Sequence, residues 1–281
     1  PGFGEELAVL GSLPTLFAEE RNRAMVIGVG AGHTAAVMTG GPWEHIDAVE
    51  LEGAVVDAAR YLYDSRDKPF PIDDPRVHLV VDDARAQLVL AEEDSYDAVV
   101  SQPSHPWLAG SSALYTQEFF QECDRALTPG GVLALWTNLF RMDIPHLRSI
   151  VRTLLSVFEH VQAYVVETSS FILLASNHPL RFDEQFSERV VTEELRPYLQ
   201  PFARDDLVDF AVGLELDSGS ARIFAGNAPI IVDDRPSLEF DLARIPHRDA
   251  ISEDQLDRAL ESLPWMGAET FAAIPSEMRA D

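Results

Sequence analysis

The sequence predicts an α/β fold with a mostly parallel sheet of seven strands, helices on both faces, and a last pair of strands that forms an antiparallel hairpin. Two observations carry this prediction. Short apolar runs alternate with helical patterns from residue 24 to residue 158, and this alternation is typical of β-α-β units that build a parallel sheet. Two further apolar runs have no more than four residues between them, a separation that suits only an antiparallel connection.

The individual elements follow in chain order. The predicted strands cover residues 24–30, 45–51, 77–83, 96–101, 132–138, 161–167 and 171–176. Helical spacing follows the second, third and fourth strands, and the helix near 116–127 stops at the glycine turn "TPGG". Another helix opens at Asp143 or Pro145. Five parallel strands followed by an antiparallel pair is the order of a Rossmann-like sheet of the class I methyltransferase type.

The pattern weakens beyond Asn177, which divides the chain into three predicted regions. Residues 1–180 are predicted to form a Rossmann-like domain, and the motifs described below indicate that this domain is the nucleoside-binding and catalytic one. Residues 181–245 form a helical addition and a return segment that pack on it, with a helical pattern over 183–212 and a short strand and turn over 228–240. Residues 246–281 form an acidic tail with one amphipathic stretch.

The charge of the chain limits its partners. Its 281 residues carry a formal net charge of −26, and the pI is about 4.5. We expect no nucleic acid partner, because phosphate contacts need basic surface. A cationic substrate such as an amine would be attracted, although the same charge also suits a very soluble or salt-adapted surface.

Cysteine usage and hydropathy set the expected compartment. A single cysteine, Cys123, excludes an internal disulfide and a cysteine-based zinc site, and no metal is predicted. No apolar run reaches the length of a bilayer span. We therefore expect a cytoplasmic location and no direct membrane insertion by this chain.

A glycine-rich loop follows the first predicted strand. It spaces Gly28, Gly30 and Gly32 as G-x-G-x-G, whereas the nicotinamide fingerprint is G-x-G-x-x-G, and His33 occupies the place of its third glycine. The shorter spacing suits nucleosides of the S-adenosylmethionine type, in which an amino-acid-like tail passes over the loop. The alternative is a tight strand–helix turn without a ligand.

Acidic residues end the next two strands. Glu50 lies at the end of the second strand, where a carboxylate can accept hydrogen bonds from ribose hydroxyls, and Asp82 and Asp83 end the third, where one can accept from an adenine amino group. Because the carboxyl ends of parallel strands form the ligand crevice of an open α/β sheet, these acids indicate a nucleoside site. Each acid alone could equally be a helix N-cap or a solvated loop residue.

The stretches "VIGVGAGHT", "DAVELEGAVVDAAR", "DPRVHLVVDDAR" and "YDAVVSQPSHPWLAGSSALYTQEFFQECDRALTPGGVLALW" resemble the spermidine synthase (polyamine aminopropyltransferase) family over residues 20–140. The motifs "SQPSHPW" and "DDRPSLEF" (233–240) resemble more closely a bacterial branch that is often fused to membrane helices. The resemblance implies S-adenosylmethionine or its decarboxylated form as co-substrate, and a small amine or other nucleophile as acceptor. It leaves open a homodimer and an origin in a longer, membrane-fused protein.

The resemblance also assigns the nucleoside site residue by residue. The three glycines would line the methionine-derived tail, Glu50 would hold the ribose, and Asp83 with Ala84 would hold the adenine. The expected site comprises Gly28, Gly30, Ala31, Gly32, Glu50, Asp82, Asp83, Ala84 and Ser101.

Three positions depart from the family pattern. Ala31 stands where the family usually has an aspartate that faces the aminopropyl ammonium group. Gln102 stands at the family's catalytic aspartate, and His105 at a second aspartate of the same motif. Without the charge at position 31, selectivity for the decarboxylated co-substrate should be weak, so ordinary S-adenosylmethionine becomes permissible.

Aminopropyl transfer needs a group that accepts the proton of the attacking amine. Gln102 can orient an amine through its carbonyl oxygen but cannot accept that proton. His105, or the carboxylates of Asp233 and Asp234, could replace the missing base, although a proline-rich loop and an Asp-Asp-Arg-Pro turn also explain these residues without catalysis. Trp107 and Tyr115 could form the wall of the acceptor pocket or serve as lid packing.

Three functions remain in competition. The first is a transferase that passes an aminopropyl group to an amine. The second is a methyltransferase on the same scaffold, and the third is a non-catalytic homologue that binds a nucleoside.

Overall fold

A computed structural model describes residues 4–65, 70–166, 170–182, 192–203, 210, 213–245, 251–261 and 263. They form an eight-stranded sheet with the strand order β3-β2-β1-β4-β5-β7-β6-β8. The first five strands in this order are parallel, and β7 is antiparallel to both β5 and β6. The predicted fold class and the predicted hairpin are therefore confirmed.

The seven predicted strands all form, with ends shifted by a few residues. They are β1 (Arg23–Ile27), β2 (His45–Glu50), β3 (Val77–Val81), β4 (Tyr96–Ser101), β5 (Leu127–Asn138), β6 (His160–Val166) and β7 (Ser170–Ser176). The largest shift is in β5, which begins five residues before the predicted start and includes the "TPGG" turn sequence. The first and third strands end before their glycine and aspartate residues, which instead form the loops of the carboxyl edge.

An eighth strand was not predicted from the sequence. β8 (Leu214–Leu216) pairs antiparallel with β6 at the end of the sheet. Three residues are too few to show the alternation by which a strand is recognised.

One helix precedes the first strand, and the others lie between the strands and after them. They are α1 (Glu5–Phe17), α2 (His33–Thr39), α3 (Gly53–Asp64), α4 (Ala84–Leu90), α5 (Gln117–Ala126), α6 (Ile144–Leu154), α7 (Arg196–Leu199), α8 (Ser218–Ala225), α9 (Ser237–Leu242) and α10 (Glu253–Glu261). Asp143 caps α6 through a hydrogen bond from the His146 backbone N–H, which decides between the two predicted starting points. None of the helices in the described ranges is long and apolar enough to cross a membrane.

Alternate residues of the strands enter two hydrophobic clusters on opposite faces of the sheet. In β1, Met25 and Ile27 belong to the cluster that α5 and α6 cover, whereas Ala24 and Val26 belong to the cluster that α1 covers. Because β-strand side chains alternate between faces, this division shows helices on both sides of the sheet.

The late part of the chain packs on the same core. Phe224 of α8, Leu238 of α9 and Leu256 of α10 are all buried in the cluster of α5 and α6. Of the helix predicted over 183–212, the structure contains α7 and a short 3-10 turn at Gln200–Phe202, and the remainder lies largely outside the described residues. The strand predicted within 228–240 is reduced to a single bridge between Val232 and Arg235, after which α9 begins.

Candidate nucleoside and acceptor site

The carboxyl ends of four neighbouring strands bring the predicted site residues together. Ile27 of β1 lies in register with Val49 of β2 and with Ser101 of β4, and Glu50 lies beside Val81 of β3. The loops that follow these residues therefore open on one edge of the sheet. This edge is where open α/β sheets bind their ligands.

The backbone of the glycine loop requires glycine at two positions for different reasons. Gly28 has φ +86°, and a Cβ there would lie 2.5 Å from the backbone oxygen of Gln102. Gly30 has φ +51°, and a Cβ there would meet no atom within 4 Å. Gly28 thus permits close contact between two loops, whereas Gly30 borders open space of the kind that a ligand tail can occupy.

Glu50 is tied to the glycine loop. Its Oε2 accepts hydrogen bonds from the backbone N–H groups of Val29 and Gly30 at 3.0 and 3.1 Å, and its Oε1 accepts one from Glu52 N–H at 3.2 Å. A carboxylate has about four lone-pair positions, so these bonds orient the group and leave acceptor capacity for ribose hydroxyls.

Asp82 and Asp83 are both exposed and both hydrogen-bonded locally. Asp83 is the N-cap of α4, and its Oδ1 accepts from the backbone N–H groups of Arg85 and Ala86 at 2.8 and 3.4 Å. Asp82 accepts from the side chain of Gln87 at 2.6 Å. The helix-cap interpretation of Asp83 is therefore correct, but it uses only Oδ1, so Oδ2 is the oxygen that can meet an adenine amino group. Its neighbour Ala84 is half-buried at the first position of α4.

At the tip of β4, Ser101 is completely buried, and its hydroxyl has no hydrogen-bond partner among the described residues. The next residue, Gln102, accepts a 2.6 Å hydrogen bond at Oε1 from the hydroxyl of Thr34. The sequence assigns this carbonyl oxygen to an incoming amine, whereas in the structure it already holds the start of α2. Thr34 was missed from the sequence, although its position directly after the glycine loop is a signal.

His105 and Trp107 form a stacked pair in the loop after β4. Their ring centroids are 4.5 Å apart with an angle of 8° between the planes, and Trp107 also contacts Phe140 at 5.8 Å. Burial lowers the pKa of His105 below its ordinary value of 6.5. Nδ1 is buried with no hydrogen-bond partner in the described part of the chain. The imidazole is therefore neutral at pH 7, and a neutral imidazole can accept a proton.

The sequence led us to expect Tyr115 at the surface of the loop, but the structure does not place it there. Its side chain is 0% exposed, and its hydroxyl donates to the backbone oxygen of Trp136 at 3.1 Å. Burial raises the pKa of Tyr115. The ring packs in the core beneath the loop because its hydroxyl finds a partner there, so Trp107 alone of the two predicted wall residues is partly exposed.

The structure places Asp233 against α4 and α5. Its two carboxylate oxygens accept from Arg85 at 2.9 and 2.8 Å, and Oδ1 also accepts from the Thr116 hydroxyl at 2.7 Å. The hydrogen bonds from Arg85 lower the pKa of Asp233, and a low pKa makes a carboxylate a weak base. This contact argues for a structural role, and Asp234, an exposed neighbour, stays a prediction. Arg85 could not be found from the sequence, because 148 residues separate it from its partner.

Solved structures with a similar fold support the topology. A probable spermidine synthase from Corynebacterium glutamicum is 21% identical with a TM-score of 0.60, over 83% of this chain and 81% of that chain. Spermidine synthase in complex with the transition-state analogue AdoDATO is 18% identical, with a TM-score of 0.54, over 92% of this chain and 74% of that chain. Human methyltransferase-like protein 13 in complex with SAH is 22% identical, with a TM-score of 0.52, over 69% of this chain and 90% of that chain. At these identities the likeness concerns the fold, which is that of the class I methyltransferases.

The family follows from the sequence comparisons. The family model of the spermine/spermidine synthase domain matches residues 6–177, and the chain belongs to this family. Putrescine N-methyltransferase 2 of Nicotiana tabacum is 31% identical over 151 residues, which are 53% of this chain and 40% of that protein. Spermidine synthase 2 of Arabidopsis thaliana is 29% identical over 176 residues, which are 59% of this chain and 51% of that protein. The chain thus spans about half the length of these curated relatives, which are transferases of two kinds.

Proposed function

We propose that this chain binds a nucleoside of the S-adenosylmethionine type at the carboxyl edge of its sheet and transfers an alkyl group from its sulfonium to a small amine. One observation carries the proposal: the glycine loop, Glu50 and Asp83 follow the ends of three neighbouring parallel strands, Glu50 is bonded to Gly30, and Gly30 borders open space. The matched relatives support it, since their names join this family to transfer onto putrescine and to spermidine synthesis.

Aminopropyl transfer is the first candidate reaction. The amine nitrogen attacks the aminopropyl carbon next to sulfur, the carbon–sulfur bond breaks, methylthioadenosine leaves, and the amine releases one proton. The match of residues 6–177 to the family model of the spermine/spermidine synthase domain favours this candidate. His105 is the group proposed to accept the proton, because burial keeps its ring neutral at pH 7.

Methyl transfer is the second candidate, and one residue of the site favours it. Ala31 does not carry the carboxylate that would attract the aminopropyl ammonium group, and it is exposed on the glycine loop. The carboxylate of ordinary S-adenosylmethionine therefore meets no repulsion from this position. In this reaction the same attack breaks the methyl–sulfur bond and leaves S-adenosylhomocysteine.

The test combines binding with identification of the by-product. Isothermal titration with S-adenosylmethionine, its decarboxylated form and methylthioadenosine measures the nucleoside site. Each co-substrate is then incubated with putrescine, and the nucleoside product is identified by mass spectrometry. Methylthioadenosine indicates aminopropyl transfer, and S-adenosylhomocysteine indicates methyl transfer.

Two results would contradict the proposal. If none of the three nucleosides binds, both reactions are excluded. If nucleosides bind but no acceptor is modified, the non-catalytic nucleoside-binding interpretation is favoured.

A matched variant tests the acceptor half of the site. Gln102→Asp restores a carboxylate at the position where the family has its catalytic aspartate, and we expect it to raise aminopropyl transfer by about 10²-fold, the lower range of general base catalysis. Gln102→Asn is the control, since it keeps an amide. Unchanged activity of Gln102→Asp with putrescine would mean that the acceptor binds elsewhere.

A further inference from the structure

Three side chains on β2 and β3 form a cluster at the opposite edge of the sheet from the nucleoside crevice. His45 and Asp47 are two residues apart on β2, so they share one face, and Asp47 lies in register with His78 of β3. The strands themselves therefore hold the three side chains next to one another. Sheet scaffolds position ligands more rigidly than loops do.

The polar atoms of this cluster converge. Oδ1 of Asp47 lies 2.9 Å from Nε2 of His45 and 3.3 Å from Nδ1 of His78. One possible ligand atom from each of the three residues lies within 4.8 Å of the ligand atoms of the other two. Ligand atoms around a tetrahedral zinc ion lie about 3.4 Å apart when each is about 2.0–2.1 Å from the metal. Two of the three distances are already close to that value, and the His78 side chain, which is 66% exposed, is free to adjust.

The other oxygen of the carboxylate is held in place. Oδ2 of Asp47 accepts hydrogen bonds from the hydroxyl of Tyr96 and from Nε of Arg23, both at 2.9 Å, and Nη2 of Arg23 lies 2.7 Å away. The carboxylate itself is almost completely buried. These bonds fix its plane so that Oδ1 faces the two imidazoles, which is what an outer hydrogen-bond shell does at metal sites.

We propose that His45, Asp47 and His78 bind a divalent transition metal ion, with zinc as the best match. Two imidazole nitrogens and one carboxylate oxygen are ligands that zinc accepts, and a water molecule would complete four-coordination. On metal binding, each ring would exchange its hydrogen bond to Asp47 for a bond from the same nitrogen to the ion and keep a proton on its other nitrogen. The net charge of −26 raises the local concentration of cations. The site lies away from the crevice and would fasten the edge strand β3 to β2.

The experiment is a zinc titration of tag-free protein after removal of metal with a chelator, followed by calorimetry. The wild type is expected to bind one equivalent. His45→Ala and His78→Ala should each weaken binding more than about a hundredfold, because even changes in an outer shell cost about 10- to 100-fold. His146→Ala is the control, since Nδ1 of His146 also lies 2.6 Å from a carboxylate oxygen, that of Asp143, but no second histidine joins this pair among the described residues.

Cobalt substitution supplies an independent readout. Co²⁺ in the wild type should give the intense visible bands of a four-coordinate ion, and these bands should be lost in His78→Ala, a variant of a largely exposed side chain that leaves folding intact. Zinc should also raise the thermal unfolding temperature of the wild type but not of His78→Ala. Equal zinc affinity in the wild type and His78→Ala, or failure of the wild type to bind, would overturn the proposal.

Discussion

The two halves of the carboxyl-edge crevice differ in charge. The half formed by β1, β2 and β3 presents the carboxylates of Glu50, Asp82 and Asp83, held by backbone N–H groups or a neighbouring amide. The half formed by β4 and β5 presents Gln102, His105 and Trp107, and the sequence has no acidic residue between Val99 and Tyr115. Donor groups such as hydroxyls and amines fit the first half, whereas the second offers a neutral imidazole and an aromatic surface.

Because the two halves lie on different strands, substitutions in one half can be tested without changing the other. The half proposed to bind the nucleoside carries the acids proposed to accept from ribose and adenine. The loop proposed to face the acceptor has no acidic residue between Val99 and Tyr115, so this loop offers an ammonium ion no ion pair. Substitutions at four places in the molecule test this contrast.

The first prediction concerns the proton acceptor of the uncharged half. If His105 is the base, His105→Asn should lower kcat by about 10²–10⁴-fold, the usual contribution of a positioned base. Burial lowers the pKa of His105 below 6.5, so the neutral form persists to lower pH, and kcat of the wild type should decline only below pH 6.5. Steady-state kinetics across pH test this. A decline centred above pH 6.5 would assign the proton transfer to another group.

The second prediction compares two glycines at the boundary of the halves. Gly28→Ala should lower the free energy of unfolding by about 3 kcal/mol, because left-handed backbone costs about 1–2 kcal/mol and a clash with the Gln102 oxygen adds about 1–3 kcal/mol. Gly30→Ala should cost only about 1–2 kcal/mol but should block nucleoside binding, since its methyl group enters the open space. Urea unfolding and isothermal titration separate the two effects. Equal loss of stability in both variants would contradict the geometry.

The third prediction tests the charged half through Asp83. Asp83→Ala should weaken nucleoside binding about 10- to 100-fold, as expected when a charged hydrogen bond of about 1.5–3 kcal/mol is lost. Asp83→Ser is the matched control, because serine caps a helix about as well as aspartate but has no second oxygen. If Asp83→Ser binds like the wild type, Asp83 acts only through the cap of α4.

The smallest expected effect lies outside both halves, at the ion pair between Arg85 and Asp233. Asp233→Asn should destabilise the fold by about 1 kcal/mol, since the pair is partly solvated. The Arg85 guanidinium lowers the pKa of Asp233. This stabilisation is therefore complete above the unfolded pKa near 3.8 and is lost as pH falls through the lower folded value. Unfolding curves at pH 7 and pH 3 should show a difference between variant and wild type that shrinks in acid.

Local patterns predicted the strands and the glycine loop because each is encoded within a few neighbouring residues. Regular elements without such a pattern escaped prediction. Every residue of α1 from Ala8 to Phe17 is buried, so the helix shows no alternation between an apolar and a polar face. β8 is too short for a pattern of any period.

Contacts between distant residues could not be read from the sequence. The burial of Tyr115 depends on a partner oxygen on Trp136, and the ion pair of Asp233 depends on the packing of the late segment against α4. The position of Gln102 was predicted, but the direction of its amide was not, because that direction is set by Thr34 on the other side of the loop.

The contact between Gly28 and the Gln102 backbone, together with the Thr34 hydrogen bond, has a consequence for redesign. If the loop after β4 were grafted into a relative, it would arrive without the Thr34 hydroxyl and the Gly28 backbone on which it rests in this chain. Exchanges of acceptor specificity should therefore succeed when positions 28 and 34 travel with the loop as one cassette.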